Sequence, residues 1–126
     1  NGVKPDKITF LSLLKSCDDT NTLDQGQIIH EHVIEDGFDS DVVISTTLVD
    51  MYARLGSLND AQKVFNMLSN PSIVSWGALI SGYVQQDHGE EAIECFEKMK
   101  VQDVLPNDVT FSCIMKACGA IGVAIK

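Results

Sequence analysis

Apolar positions along this chain recur at helical spacing and nowhere alternate as a half-buried strand would. Ile44, Leu48, Met51 and Tyr52 lie four, three and one residues apart, and Ala61, Val64, Phe65 and Leu68 lie three, one and three apart. Each set therefore lines one face of a helix. The first of these helices opens with a phrase written four times: Thr9-Phe10-Leu11-Ser12-Leu13-Leu14, Ser45-Thr46-Thr47-Leu48-Val49, Ser75-Trp76-Gly77-Ala78-Leu79-Ile80 and Thr110-Phe111-Ser112-Cys113-Ile114-Met115. A second phrase follows in each complete unit, at Leu23 to His30, Leu58 to Phe65 and Glu90 to Phe96. Units starting at Lys7, Val42, Ile73 and Asp108 are spaced 35, 31 and 35 residues apart. That period predicts two helices per unit and a solenoid, because one hairpin cannot bury both stripes without a neighbour.

Local signals place the helix ends. Thr22 with Gln25, Ser57 with Asp60 and Asp87 with Glu90 put a short capping side chain three residues before a polar partner, which predicts second-helix starts at those places. Gly56 suits the turn between two helices and Gly37 the end of the helix before it. Pro5, Pro71 and Pro106 precede units one, three and four, where a residue with no N–H separates hairpins without breaking a helix. The expected organisation is residues 1–6 as the tail of a preceding repeat, repeats at 7–41, 42–72 and 73–107, and a partial repeat at 108–126. Both ends read as cut, so the chain is expected to be a piece of a longer protein.

A net charge of −9 argues against a nucleic-acid partner until its distribution is followed. The units carry −6, 0, −4 and +1, and the acids gather on the second helices, at Asp24, Glu31, Glu35 and Asp36 and at Glu90, Glu91, Glu94 and Glu97. The first helices, read as 8–17, 43–54, 74–85 and 109–119, carry Lys15, Arg54 and Lys116 against Asp50 alone. Asp18 and Asp19, just past the first of them, weaken the contrast. A polyanion could still lie along the first helices, since the local field decides attraction. Two or three cations make that binding weak and salt-sensitive. No apolar run reaches the roughly 20 residues that span a bilayer, so no membrane partner is expected. Cys17, Cys95, Cys113 and Cys118 form no CxxC pair, which predicts free thiols rather than a metal site or bridges.

The 35, 31, 35 spacing, with Leu23-Asp24-Gln25-Gly26-Gln27-Ile28-Ile29-His30 in one unit, Leu48 to Leu58 (LVDMYARLGSL) in the next and Val74 to Tyr83 (VSWGALISGY) in the third, resembles the PLS class of plant pentatricopeptide repeat (PPR) proteins. The resemblance covers essentially the whole chain. It implies an all-α fold, a right-handed superhelical α-solenoid of antiparallel helix-turn-helix repeats, with a long unit at 7–41, a short unit at 42–72, a standard unit at 73–107 and another long unit from 108. It also implies a single-stranded RNA partner read at about one base per repeat, an RNA-editing accessory protein as a second partner, and residence in a mitochondrion or chloroplast. Site recognition for cytidine-to-uridine editing or other transcript processing would be the task.

On this resemblance the second residue of each unit, Ile8, Val43, Val74 and Val109, clamps a base. The fifth and last residues select it, giving Leu11 with Asp41, Thr46 with Ser72 and Gly77 with Asn107, while Ser112 opens a fourth pair. Leu11 and Gly77 offer no polar side-chain atom, so only a purine preference at the Thr46 unit is implied. Arg54 matches the position where a cation approaches the RNA backbone; Asp19, Gln85 and Ala120 stand there in the other units.

Other readings compete at these residues. The clamp candidates could be helix-start apolar residues packed on a neighbour, and Phe10, Trp76 and Phe111 are expected in the core between helices rather than as stacking platforms. His30-Glu31-His32 lacks the histidine that HExxH requires at position 34, where Ile34 stands. His88 belongs to a solvated turn. Neither the HxE nor the CxxC of a cytidine deaminase occurs, so no catalytic residue, metal or cofactor is expected. A protein-interaction solenoid is the alternative function.

Overall fold

In the computed structural model, residues 6–17 and 23–121 are described. They form seven α-helices and no strand: α1 (Lys7–Ser16), α2 (Leu23–Glu35), α3 (Val42–Arg54), α4 (Leu58–Asn66), α5 (Ile73–Gln85), α6 (Gly89–Val101) and α7 (Asp108–Ile121). The Thr22 cap, Pro5, Asp18, Asp19 and the residue 1–5 part of the expected tail lie outside the described residues, as does the end of the chain from 122. Lys7, Val42, Ile73 and Asp108 are the first residues of α1, α3, α5 and α7.

The helices gather into two compact units, α1 to α4 and α5 to α7. In the first, α1 packs on α2 and α3, α2 also packs on α3, and α3 packs on α4. In the second, α6 packs on both α5 and α7, and α5 also meets α7 directly. The stripe read from the sequence is the core of the first unit: Ile44, Leu48, Met51 and Tyr52 are all buried, as are Ala61, Val64 and Phe65. Leu68 lies beyond the end of α4 and is only half-buried. In the second unit Leu79, Ile80, Ala92 and Met99 are fully buried. Burying one such large side chain stabilises by about 2 kcal/mol, more than the roughly 1 kcal/mol of a helix cap. The stripes therefore drive the packing and the caps trim it.

Phe10 and Trp76 are buried, in keeping with a place in the core, and the edge of Phe10 meets Phe38 at 5.6 Å between ring centres. Phe111 departs from that expectation: it is half-exposed, with its ring edge-on to Phe96 at 5.9 Å.

Four of the helix ends share one device. After α2, α3, α5 and α6 the chain takes one residue at positive φ, namely Gly37, Gly56, Asp87 and Asp103. At each of them two amide N–H groups turn back to carbonyls of the last turn, as when Gly56 N donates to Ala53 O and Ser57 N to Tyr52 O. Glycine fits this at no steric cost at Gly37 and Gly56, and aspartate is among the few other residues that adopt the left-handed region.

The starts of α4 and α6 differ from expectation. Ser57 is the N-cap of α4, but its hydroxyl donates to Asp60 Oδ2 at 2.6 Å and makes no bond to the helix backbone. Asp87 is not the cap of α6. It closes α5, and His88 takes the cap position, its ring Nδ1 lying 3.4 Å from Glu91. Among the described residues the side-chain caps sit on the first helices, where Asp6, Asp41, Ser72 and Asn107 accept the N–H of Thr9, Ile44, Ser75 and Thr110.

Candidate functional site

On every first helix the second residue points away from the core. Ile8 is 73% exposed, Val43 50%, Val74 65% and Val109 62%, an apolar residue in water at the same place four times. The packing alternative for these residues does not describe them within this chain. Three positions further on, on the same side of the helix, come Leu11, Thr46 and Gly77, each half-buried, and the exposed Ser112. Apolar residues flanked by small or hydroxyl-bearing ones make a shallow surface of the kind an unstacked base can lie on.

The candidate base-selecting residue that closes each unit also caps the helix that follows. Asp41 Oδ1 accepts Ile44 N at 3.1 Å and Oδ2 lies 3.0 Å from Lys7 Nζ. Partial burial works against the charge of Asp41, but the amide bond and Lys7 outweigh it and hold its carboxyl below the usual range. Ser72 Oγ accepts Ser75 N at 3.3 Å and lies 3.2 Å from Ser75 Oγ. Asn107 Oδ1 accepts both Thr110 N and Thr110 Oγ1 at 2.9 Å. A backbone N–H can only donate, so the amide oxygen of Asn107 must face the helix and its Nδ2 must point elsewhere. Each candidate base-selecting residue is thus oriented by capping the next helix. A signal for this stood in the sequence: in Asp6-x-x-Thr9, Ser72-x-x-Ser75 and Asn107-x-x-Thr110 a capping residue precedes a hydroxyl by three, directly before an apolar run.

Arg54, at the place of the expected phosphate contact, is engaged within the chain. Its Nε donates to Asp50 Oδ2 at 2.9 Å, Nη1 to Cys17 O at 2.6 Å and Nη2 to Leu14 O at 3.3 Å. The guanidinium closes the C-terminal end of α1, where unsatisfied carbonyls carry partial negative charge. Of the other residues at that repeat position, Gln85 bonds to Ser81, whereas Asp19 and the side chain of Ala120 lie outside the described residues.

The titratable groups nearby are structural. His30 Nδ1 lies 2.8 Å from the hydroxyl of the buried Tyr52, and the two rings meet edge-on at 5.6 Å. Burial pushes the Tyr52 hydroxyl up to about 12, with Asp60 and Glu31 adding to the shift. Burial also holds His30 below the ordinary imidazole value, against the opposing pull of Asp60, Asp39 and Glu31. The His30–Tyr52 pair is therefore a hydrogen bond between two groups that burial favours in their neutral forms. His32 pairs with Glu35 at 3.3 Å, so the three residues from His30 to His32 share no ligand site. Among the described residues no cluster of histidine, cysteine and carboxylate side chains could hold a metal ion, and no helix is long and apolar enough to cross a membrane. The four cysteines are free thiols, three of them buried.

Comparison with known proteins agrees with the repeat pattern. A model of the PPR repeat family matches residues 71–120, and a model of the single PPR repeat matches residues 43–70. The mitochondrial pentatricopeptide repeat-containing protein At3g02330 of Arabidopsis thaliana is 40% identical over 125 residues, covering 99% of this chain and 14% of its own. The chloroplastic relative At4g18520 from the same plant is 36% identical over 121 residues, 96% of this chain and 20% of its own. This chain thus spans a small part of the relatives it matches. Among solved structures, the crystal structure of the pentatricopeptide repeat protein PPR10 in complex with an 18-nt psaJ RNA element matches 98% of this chain and 19% of that one, with a TM-score of 0.81 at 21% identity. Repeat models over residues 43–120, relatives along the full length and a shared helical fold lead to one conclusion: the chain belongs to the pentatricopeptide repeat family.

Proposed function

We propose that this chain is a single-stranded RNA-binding segment of a longer organellar PPR protein, contributing to site recognition for RNA editing or other transcript processing. One observation carries the reading: Ile8, Val43, Val74 and Val109 expose apolar surface at one repeat position, with no role in the core that would explain them. A base packed there would remove apolar area from water on both sides. The PPR10 structure bound to RNA and the mitochondrial and chloroplastic names of the relatives support the ligand class and the compartment.

On this reading the repeats are a long unit at 7–41, a short one at 42–72, a standard one at 73–107 and a long one from 108. Leu11 with Asp41, Thr46 with Ser72, Gly77 with Asn107, and Ser112 stand at the base-selecting positions. Thr46 brings a hydroxyl to its base, which supports a purine preference in the short unit. No residue of this segment is assigned to catalysis; editing chemistry would lie elsewhere in the parent protein.

The test is salt-dependent binding to short single-stranded RNAs by the wild-type chain and by a Val43→Asp, Val74→Asp variant. Both sites are at least half exposed, so the variant should keep its stability within about 0.5 kcal/mol, and circular dichroism checks its fold. Loss of binding in the folded variant is the expected result. Binding that survives both aspartates removes RNA from the first helices, and absence of wild-type binding at low salt turns the segment toward a protein partner.

A further inference from the structure

The family position for a backbone cation is filled here by Arg54, whose three guanidinium nitrogens bond to Asp50, Cys17 O and Leu14 O. Turning that group toward a phosphate would take the guanidinium from two carbonyls at the end of α1, of which Leu14 O keeps the N–H of Cys17, and leave Asp50 facing the polyanion. Two other cations share a helix face with the exposed apolar residues. On α1, Lys15 follows Ile8 by seven residues and Leu11 by four; on α7, Lys116 follows Val109 by seven and Ser112 by four. Seven residues at 3.6 per turn return a side chain to within about 20° of its starting direction, some 10 Å along the axis. Each lysine therefore stands two turns beyond its apolar residue on one side of its own helix, and both lysines are exposed. At the same place α3 and α5 carry Asp50, already paired with Arg54, and Ser81. The acids of the second helices, Glu31, Glu90, Glu91 and Glu94 among them, are exposed on other elements.

We infer that Lys15 and Lys116, not Arg54, supply the phosphate contacts of this chain to single-stranded RNA, and that Arg54 is a strut tying α3 to the end of α1. The inference rests on the RNA-binding reading and assigns its electrostatic half. In both long units a lysine grips the backbone one turn below the base-selecting residue, Leu11 in one and Ser112 in the other. At Leu11, which has no polar side-chain atom, affinity comes from charge and discrimination from elsewhere.

The salt dependence of binding separates a phosphate contact from a structural role, because each phosphate neutralised on a single strand adds about 0.7 to the slope of log K against log salt. Binding of a fluorescent single-stranded RNA of randomised sequence is measured across a salt series for the wild-type chain, Lys15→Gln with Lys116→Gln, and Arg54→Gln. The lysine variant should melt like the wild type and lose about 1.4 from the slope, about 0.7 for each lysine. Arg54→Gln should melt lower and, below its transition, keep the slope. A lysine variant with an unchanged slope overturns the inference while leaving RNA binding in place, as does a slope lost by a folded Arg54→Gln. A wild-type chain that binds no RNA at any salt overturns both this inference and the reading beneath it.

Discussion

Replacing Asp41 separates what this residue does for the fold from what it would do for a base. Its carboxylate makes two contacts, the amide of Ile44 at 3.1 Å and Lys7 at 3.0 Å. Losing an N-cap costs about 1 kcal/mol. The Lys7 pair is partly open to water, with side chains 43% and 25% exposed, and so adds only about 0.5 kcal/mol. Asp41→Ala should then destabilise by about 1.5 kcal/mol, which at a denaturant slope of about 1–3 kcal/mol/M lowers the urea midpoint by roughly 0.5–1.5 M. Asp41→Asn keeps an equally good cap and loses only the ion pair, so it should cost about 0.5 kcal/mol. High salt should erase the cost of the asparagine and leave most of that of the alanine, since screening reaches the partly exposed pair but not the local amide bond. Because the folded carboxyl titrates below its unfolded value, its contribution is present above the ordinary carboxylate pKa and fades as pH falls through the folded one. Equal costs for alanine and asparagine would refute the capping argument. RNA affinities of Asp41 variants are to be compared below their melting transitions, or a lost cap will pass for a lost base contact.

Two further outcomes follow from buried titratable groups. His30 is held below its ordinary value by burial and is hydrogen-bonded to Tyr52. Its contribution to stability is therefore complete above the ordinary imidazole value near pH 6.5 and is lost as pH falls through the lower folded value; urea midpoints of wild type and His30→Gln should converge on acidification, and a constant gap would refute this. Burial pushes the Cys95 thiol up to about 11, whereas Cys113 is half-exposed. With a thiol reagent at neutral pH Cys113 should react first and Cys95 only on unfolding, an order that peptide mapping reads directly and that prompt labelling of Cys95 would contradict.

Periodic features were legible in the sequence because a helix repeats every 3.6 residues and a solenoid repeats its units. The stripe Ile44, Leu48, Met51 and Tyr52, the turns at Gly37 and Gly56 and the start of each first helix all follow from local spacing. At α4 and α6 the expected caps fail for a physical reason: Ser57 and Asp60 satisfy each other, and Asp87 is drawn into the left-handed turn that ends α5. Local pattern names a capping side chain but not which of its neighbours reaches it first.

Tertiary structure alone decided the rest. Spacing put Ile8, Val43, Val74 and Val109 at one repeat position, yet only packing showed them left in water, because whether an apolar residue at a helix start is core or surface depends on which helix lies against it. The same holds for Arg54. Its place in the repeat made it a cation for RNA, and contacts 37 and 40 residues away in sequence, to Cys17 and Leu14, made it the closing brace of α1. Repeat position fixes where a side chain starts, and the neighbouring helix fixes where its charge ends.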